Sequence, residues 1–139
     1  MPFLPLLRLL SWFALVRWAV TIVYLSSMSG KQLQPFMLGF SGWDKIAHAI
    51  AYCVGAMLLS TALRLNTGRS WRAIIPIAIL TISFFGATDE WHQLHTPQRA
   101  GGSVGDWLAD TLGAAVGAVA IYSLHGRYQR QAQPAPAGN

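Results

Sequence analysis

The sequence predicts an all-α membrane protein, a bundle of four transmembrane helices with both termini in the cytoplasm. Three observations lead there. Hydrophobic residues make up 53% of the 139 positions and charged residues 11%, a balance too apolar for a soluble domain of this size. The apolar residues gather in four runs, Leu9 to Leu25, Ile46 to Leu63, Ala73 to Thr88 and Val104 to Leu124, each near the length of one bilayer crossing. Arginines flank alternate ends of these runs: Arg8 before the first, Arg64, Arg69 and Arg72 around the loop between the second and third, Arg127 and Arg130 after the fourth. Basic residues stay preferentially on the cytoplasmic side, which sets the orientation.

The runs must be helices because backbone groups in hydrocarbon have to be satisfied within the segment, and the runs are too long and too unalternating for barrel strands. The first reads as a retained helix rather than a signal peptide. Its apolar stretch is too long, and Ser26, Ser27, Met28, Ser29 and Gly30 offer no small-x-small cleavage site. Arg17 inside it is expected to snorkel towards the inner surface. In the second run Cys53, the sole cysteine, excludes an intramolecular disulfide and reads as a small apolar core residue. Residues 1–128 are expected to form one domain. The tail from 129 to 139, with Pro134, Pro136 and Gly138, lacks apolar periodicity and is expected to be disordered. The net charge of +5 is explained by topology and attraction to anionic lipids, so no nucleic-acid partner is expected.

All five acids, Asp44, Asp89, Glu90, Asp106 and Asp110, fall at one predicted side of the membrane, the outer one. A carboxylate at membrane depth costs on the order of 2.5 to 3.5 kcal/mol, so each must be capped, paired or functional. On the second helix Asp44, His48 and Tyr52 share a face at i, i+4 and i+8, with Gly55 a turn deeper. Ser41 and Asp44 fit an S-x-x-D helix start, which explains Asp44 but leaves His48 unexplained. On the fourth, Ser103 and Asp106 repeat that start, while Asp110, Gly113 and Gly117 continue the stripe beyond the reach of capping. Gly113 and Gly117 form GxxxG, which invites close approach of another helix and offers a face for a homo-oligomer. The third ends in Asp89, Glu90, Trp91, His92 and Gln93, followed by a loop from Leu94 to Gly105 that carries His95, Pro97 and Arg99 and is expected to fold over the outer opening. Trp43, Trp91 and Trp107 mark the interface there.

Asp44, Lys45, His48 and Tyr52 read as D-K-x-x-H-x-x-x-Y, followed by Asp89, Glu90 and Gln93 as D-E-x-x-Q, then Arg99, Asp106, Asp110, Gly113 and Gly117. From about Ser26 to Gly117 this pattern resembles the VanZ-like family, with one departure at Asp110, where the family often has asparagine. The resemblance implies a small multi-pass protein of the bacterial cytoplasmic (inner) membrane, related to a founding member associated with resistance to the glycopeptide teicoplanin.

The leading expectation is an outward-facing polar site that binds or processes a cell-envelope lipid or a lipid-linked cell-wall precursor. Asp44, His48, Asp89, Glu90, Arg99, Asp106 and Asp110 are its candidate catalytic residues, and Lys45, Tyr52 and Gln93 its candidate substrate contacts. His48, oriented by Asp44, would serve as general acid or base, and Arg99 would hold a phosphate or carboxylate. A divalent metal on the acids is a lesser version, since no tight motif such as H-E-x-x-H is present; His92 and His95 have ligand spacing only if the helix runs through both. The alternative is a non-enzymatic accessory or ligand-binding membrane protein, its pocket suited to an ammonium group or zwitterion. An inert charge network ranks last, because five acids against Lys45 and Arg99 leave excess negative charge.

Overall fold

The computed structural model describes residues 3–36, 42–99 and 101–132. Among them every regular element is helical: α1 (Leu4–Ser27), α2 (Gly30–Leu33), a 3₁₀ turn (Gln34–Phe36), α3 (Trp43–Thr67), α4 (Trp71–Gln93) and α5 (Val104–Ala132). The four long helices are apolar enough to cross a membrane, and they make this a multi-pass membrane protein. Each is longer than its apolar run and continues through polar residues at its ends.

The ends are set by local chemistry. Pro5 sits in the first turn of α1, where its missing N–H is no loss. Ser29 and Gln32 form a reciprocal capping box that starts α2. Gly42 (φ 85°) and Gly68 (φ 62°) bracket α3 in the left-handed region, where glycine carries no Cβ penalty. Gly42 therefore holds the N-cap position expected for Ser41, which lies outside the described residues. The Ser103 cap is present: its Oγ accepts from the Asp106 N–H at 3.2 Å. The last helix runs to Ala132, so 129–132 of the tail expected to be disordered are helical, and 133–139 fall outside the described residues.

The helices run up and down. Arg8 near the start of α1 donates to the Leu65 carbonyl near the end of α3 at 2.9 Å, the Trp18 indole donates to the Ala51 carbonyl at 2.9 Å, and Ser27 meets His92 at 3.1 Å. The core between them is built largely from small residues, with Ala56, Ala78, Ala114 and Ala118 all at 0% exposure around Tyr52 at 1%. Small residues are what apolar helices need at an interface, since association in lipid relies on close van der Waals packing. Glycines carry this furthest. A Cβ at Gly113 would strike the Ala49 carbonyl oxygen, one at Gly117 the Cys53 carbonyl oxygen, and one at Gly55 the Trp18 indole. The GxxxG motif is thus spent inside the chain, on α3, and the face expected for a homo-oligomer is occupied.

This topology separates charge. Arg8, Arg64, Arg69, Arg72, Arg127 and Arg130 belong to one end of the bundle, and all five acids with Lys45 and Arg99 to the other. The positive-inside rule predicts that the acidic end faces outward. A cysteine replacing exposed His95 should then react with an impermeant maleimide on intact cells, while one replacing Thr67 should react only after permeabilisation. The reverse pattern would invert the orientation. Gly101 is a poor place for the label, since any side chain there meets the Gln93–Leu94 backbone.

Candidate functional site

Three helices deliver polar side chains to the acidic end, and the loop after α4 closes over them. The loop is tied down at several points: Gly102 N–H donates to the Glu90 carbonyl at 3.1 Å, Thr96 Oγ1 to the Ser26 carbonyl at 3.2 Å, and Gly30 N–H to the Pro97 carbonyl at 3.3 Å. Gly102 has φ 74°, a left-handed conformation that turns the chain back towards α5.

The centre is a histidine–carboxylate pair between α3 and α5. His48 Nδ1 lies 2.9 Å from Asp110 Oδ1 and 3.9 Å from Glu90 Oε1. A carboxylate accepts, so the short contact puts the proton on Nδ1. The side chain of Asp110 is 0% exposed, that of Glu90 6% and that of His48 15%. Glu90 is anchored by one oxygen, with the Ser103 N–H donating to Oε2 at 2.8 Å. Its Oε1 and the Oδ2 of Asp110 are buried without a hydrogen-bond partner. Gly86 of α4 makes room for Asp110, since a Cβ there would sit 2.7 Å from Asp110 Oδ2.

Two further chains of contacts flank this pair. Inward, the Tyr52 hydroxyl and Gln93 Nε2 both donate to Asp89 Oδ2 at 3.0 Å, and Arg99 donates to Gln93 Oε1 at 2.6 Å. Towards the rim, Lys45 Nζ bridges Asp106 Oδ1 at 2.9 Å and Asp44 Oδ2 at 3.3 Å, with the Lys45 side chain 50% exposed. The aromatic ring of Tyr52 lies nearly parallel to His48, 6.2 Å between centroids, and edge-on to Trp18 at 5.8 Å.

The residues expected from sequence therefore converge, but not in the expected pairs. His48 takes Asp110, not Asp44, as its orienting partner; Asp44 is spent on Lys45 at the rim. Arg99 is bonded to Gln93 and, among the described residues, has no carboxylate within 4.0 Å, so its charge is not used up on the acids. His92 bonds Ser27, His95 bonds the Trp91 carbonyl at 3.0 Å, and the helix ends at Gln93 before reaching His95, so these two form no ligand pair. Trp18 was not expected to support the site, and Gly86, which shares a side of the third helix with Glu90 and Gln93, was not expected to make room for Asp110. A glycine on the Tyr52 stripe signals that something bulky packs there, but nothing in spacing says that it is Trp18. Trp107, expected only as an interfacial marker, also donates to the Ser83 carbonyl at 3.1 Å.

A groove of about 260 Å³ opens beside the cluster, lined by Ala87, Glu90, Trp91, Leu94, Ser103 and Trp107 among others. Its walls are mostly apolar, and Glu90 is its one acid. A cavity of about 290 Å³ at the arginine end is lined by Arg64, Trp71, His125 and neighbours and holds no carboxylate. Of the residues expected from sequence, Glu90 lines the first and none lines the second. One ring nitrogen of His48 and one oxygen each of Glu90 and Asp106 lie within 4.8 Å of one another.

A family model described as VanZ/LLP1 matches residues 3–125, which takes in α1, α3 and α4, α5 as far as His125, and every residue of the cluster. No curated protein and no solved structure matches the chain.

Proposed function

The chain belongs to the VanZ/LLP1 family, and from that footing we propose that its acidic end is a site for the polar head of a cell-envelope lipid or lipid-linked cell-wall precursor, which it binds or processes. The observation that carries this reading is the mostly apolar groove that Glu90 helps to line, a carboxylate with one oxygen fixed by Ser103 and the other buried without a partner. A lipid tail would lie along Trp91, Leu94 and Trp107, with its head beside Glu90. Mostly apolar pockets with a few convergent polar groups are the usual form of ligand sites.

If a bond is broken there, His48 is the residue that moves the proton. Asp110 holds its Nδ1–H, which leaves the other ring nitrogen free to accept, the arrangement a general base needs. Arg99, unpaired with any described acid, supplies positive charge for a phosphate. The Tyr52–Asp89–Gln93–Arg99 chain is complete without a ligand, and that favours a second reading in which part of the cluster is scaffold and the protein is a binding or accessory factor.

Purified protein in detergent, offered long-chain isoprenyl phosphate, isoprenyl pyrophosphate and phosphatidic acid, separates these readings. Turnover lost in His48→Ala and Glu90→Gln, with melting behaviour kept, supports the enzyme. Retention of one lipid without turnover supports the binding factor. Neither retention nor turnover rejects the lipid reading.

A further inference from the structure

We infer that this cluster is a site for a divalent cation, with His48, Glu90 and Asp106 as its ligands and Asp110 as the residue that positions His48. The inference rests on the reading of the acidic end as a ligand site, but not on which lipid it takes.

The donor atoms are already gathered. One nitrogen of His48 and one oxygen each of Glu90 and Asp106 fall within 4.8 Å of one another. Ligands about 2.0 to 2.2 Å from a shared ion stand no more than roughly 4.4 Å apart, so small side-chain adjustments complete the triangle.

An independent observation asks for a cation. Glu90 is 5% exposed, its Oε2 is held by Ser103, and its Oε1 lies 3.9 Å from His48 Nδ1, the nitrogen bonded to Asp110, with no hydrogen-bond partner of its own. The other unpartnered oxygen, Asp110 Oδ2, packs against Gly86 of α4 and is not one of these donors. Buried anionic oxygens without donors are costly, and a cation satisfies them without adding protons. The Asp110–His48 bond of 2.9 Å adds what metal-binding histidines commonly have, a carboxylate that fixes the tautomer and frees the opposite nitrogen. One imidazole with carboxylates suits manganese or zinc better than calcium, which takes oxygen ligands alone.

Lys45 is the resident competitor. Its ammonium holds Asp106 Oδ1 at 2.9 Å from a half-exposed position, so it must share or release that carboxylate when an ion enters. Removing it should strengthen the site.

The test uses full-length protein in detergent, stripped with chelator and titrated with Mn²⁺ by electron paramagnetic resonance, with metal analysis after Zn²⁺ loading. Wild type should take up one ion per chain saturably. Glu90→Gln should weaken binding at least tenfold, Asp110→Asn by about 10- to 100-fold, and Lys45→Met should bind at least as tightly as wild type. Absence of saturable binding in wild type overturns the inference, and so does Glu90→Gln binding like wild type. If Glu90→Gln does not fold, Asp106→Asn replaces it under the same criterion. A lipid probe retained by protein that takes up no ion removes the cation and keeps the lipid reading. A stoichiometric ion with no lipid retained does the opposite.

Discussion

Gly113→Leu is expected to prevent accumulation of the folded bundle, or to lower its melting temperature more than any single change at the polar cluster. The cause is a backbone-to-backbone approach. Any Cβ at 113 would meet the Ala49 carbonyl oxygen, and any Cβ at 117 that of Cys53. Neither obstacle can rotate away, because both are main-chain atoms inside α3. Overpacking a fitted core costs typically about 1 to 3 kcal/mol, more when backbone must shift, and α3 and α5 can separate only by giving up the alanine contacts on either side. Since α5 also carries Asp106 and Asp110, separation would withdraw both acids from Lys45 and His48. The control is Gly126→Leu, where a Cβ meets nothing within 4 Å. Thermal melting in detergent, read by circular dichroism, should show Gly126→Leu unchanged and Gly113→Leu strongly destabilised. Equal melting of the two variants would mean that the helices do not touch through these glycines.

The same glycines show how far sequence reasoning reaches. Four helices were legible because the apolar runs match the thickness of a bilayer, and a face was legible because i, i+4 spacing stacks Asp44, His48 and Tyr52. Helix ends were less so: hydropathy closes the fourth run at Leu124, yet α5 continues to Ala132. Partnership across helices was least legible. Asp44 is nearest to His48 in sequence, but its carboxylate is taken by Lys45 at the rim, whereas the close α3–α5 contact brings Asp110 within 2.9 Å of His48. The GxxxG motif marked a close approach without saying whether the partner was a second copy or the same chain. Lys45 illustrates the limit in another way. Its charge was evident, but only geometry shows it spanning two carboxylates at the rim while Arg99 is left without one.

Gly86→Ala should disable the cluster without altering any charge, and its effect should be reversed in part by a second substitution. The added methyl carbon would lie 2.7 Å from Asp110 Oδ2 and 3.0 Å from Asp110 Cβ. Asp110 is 0% exposed and has no open space into which to retreat, so the methyl must push its carboxylate off His48 or push α4 away from α5. Displacement of a positioned group by about 1 Å can cost on the order of 100-fold in a catalysed reaction, and losing the acceptor leaves the His48 Nδ1–H without a partner at a cost of about 1 to 3 kcal/mol. In Gly86→Ala with Asp110→Ala, the carboxylate that collides most closely is gone and only the Cβ contact at 3.0 Å remains. The two changes should therefore be non-additive, the double variant being more stable than the sum of the single effects by about 0.5 to 3 kcal/mol, the range found for residues in contact. Ligand retention should nevertheless remain lost, because the orienting carboxylate is missing. Melting curves of wild type, both single variants and the double variant measure the coupling, and retention of the lipid probe by the same four samples separates packing from function. Additive melting effects would mean that Gly86 and Asp110 do not share the space; restored retention in the double variant would mean that Asp110 does not position His48.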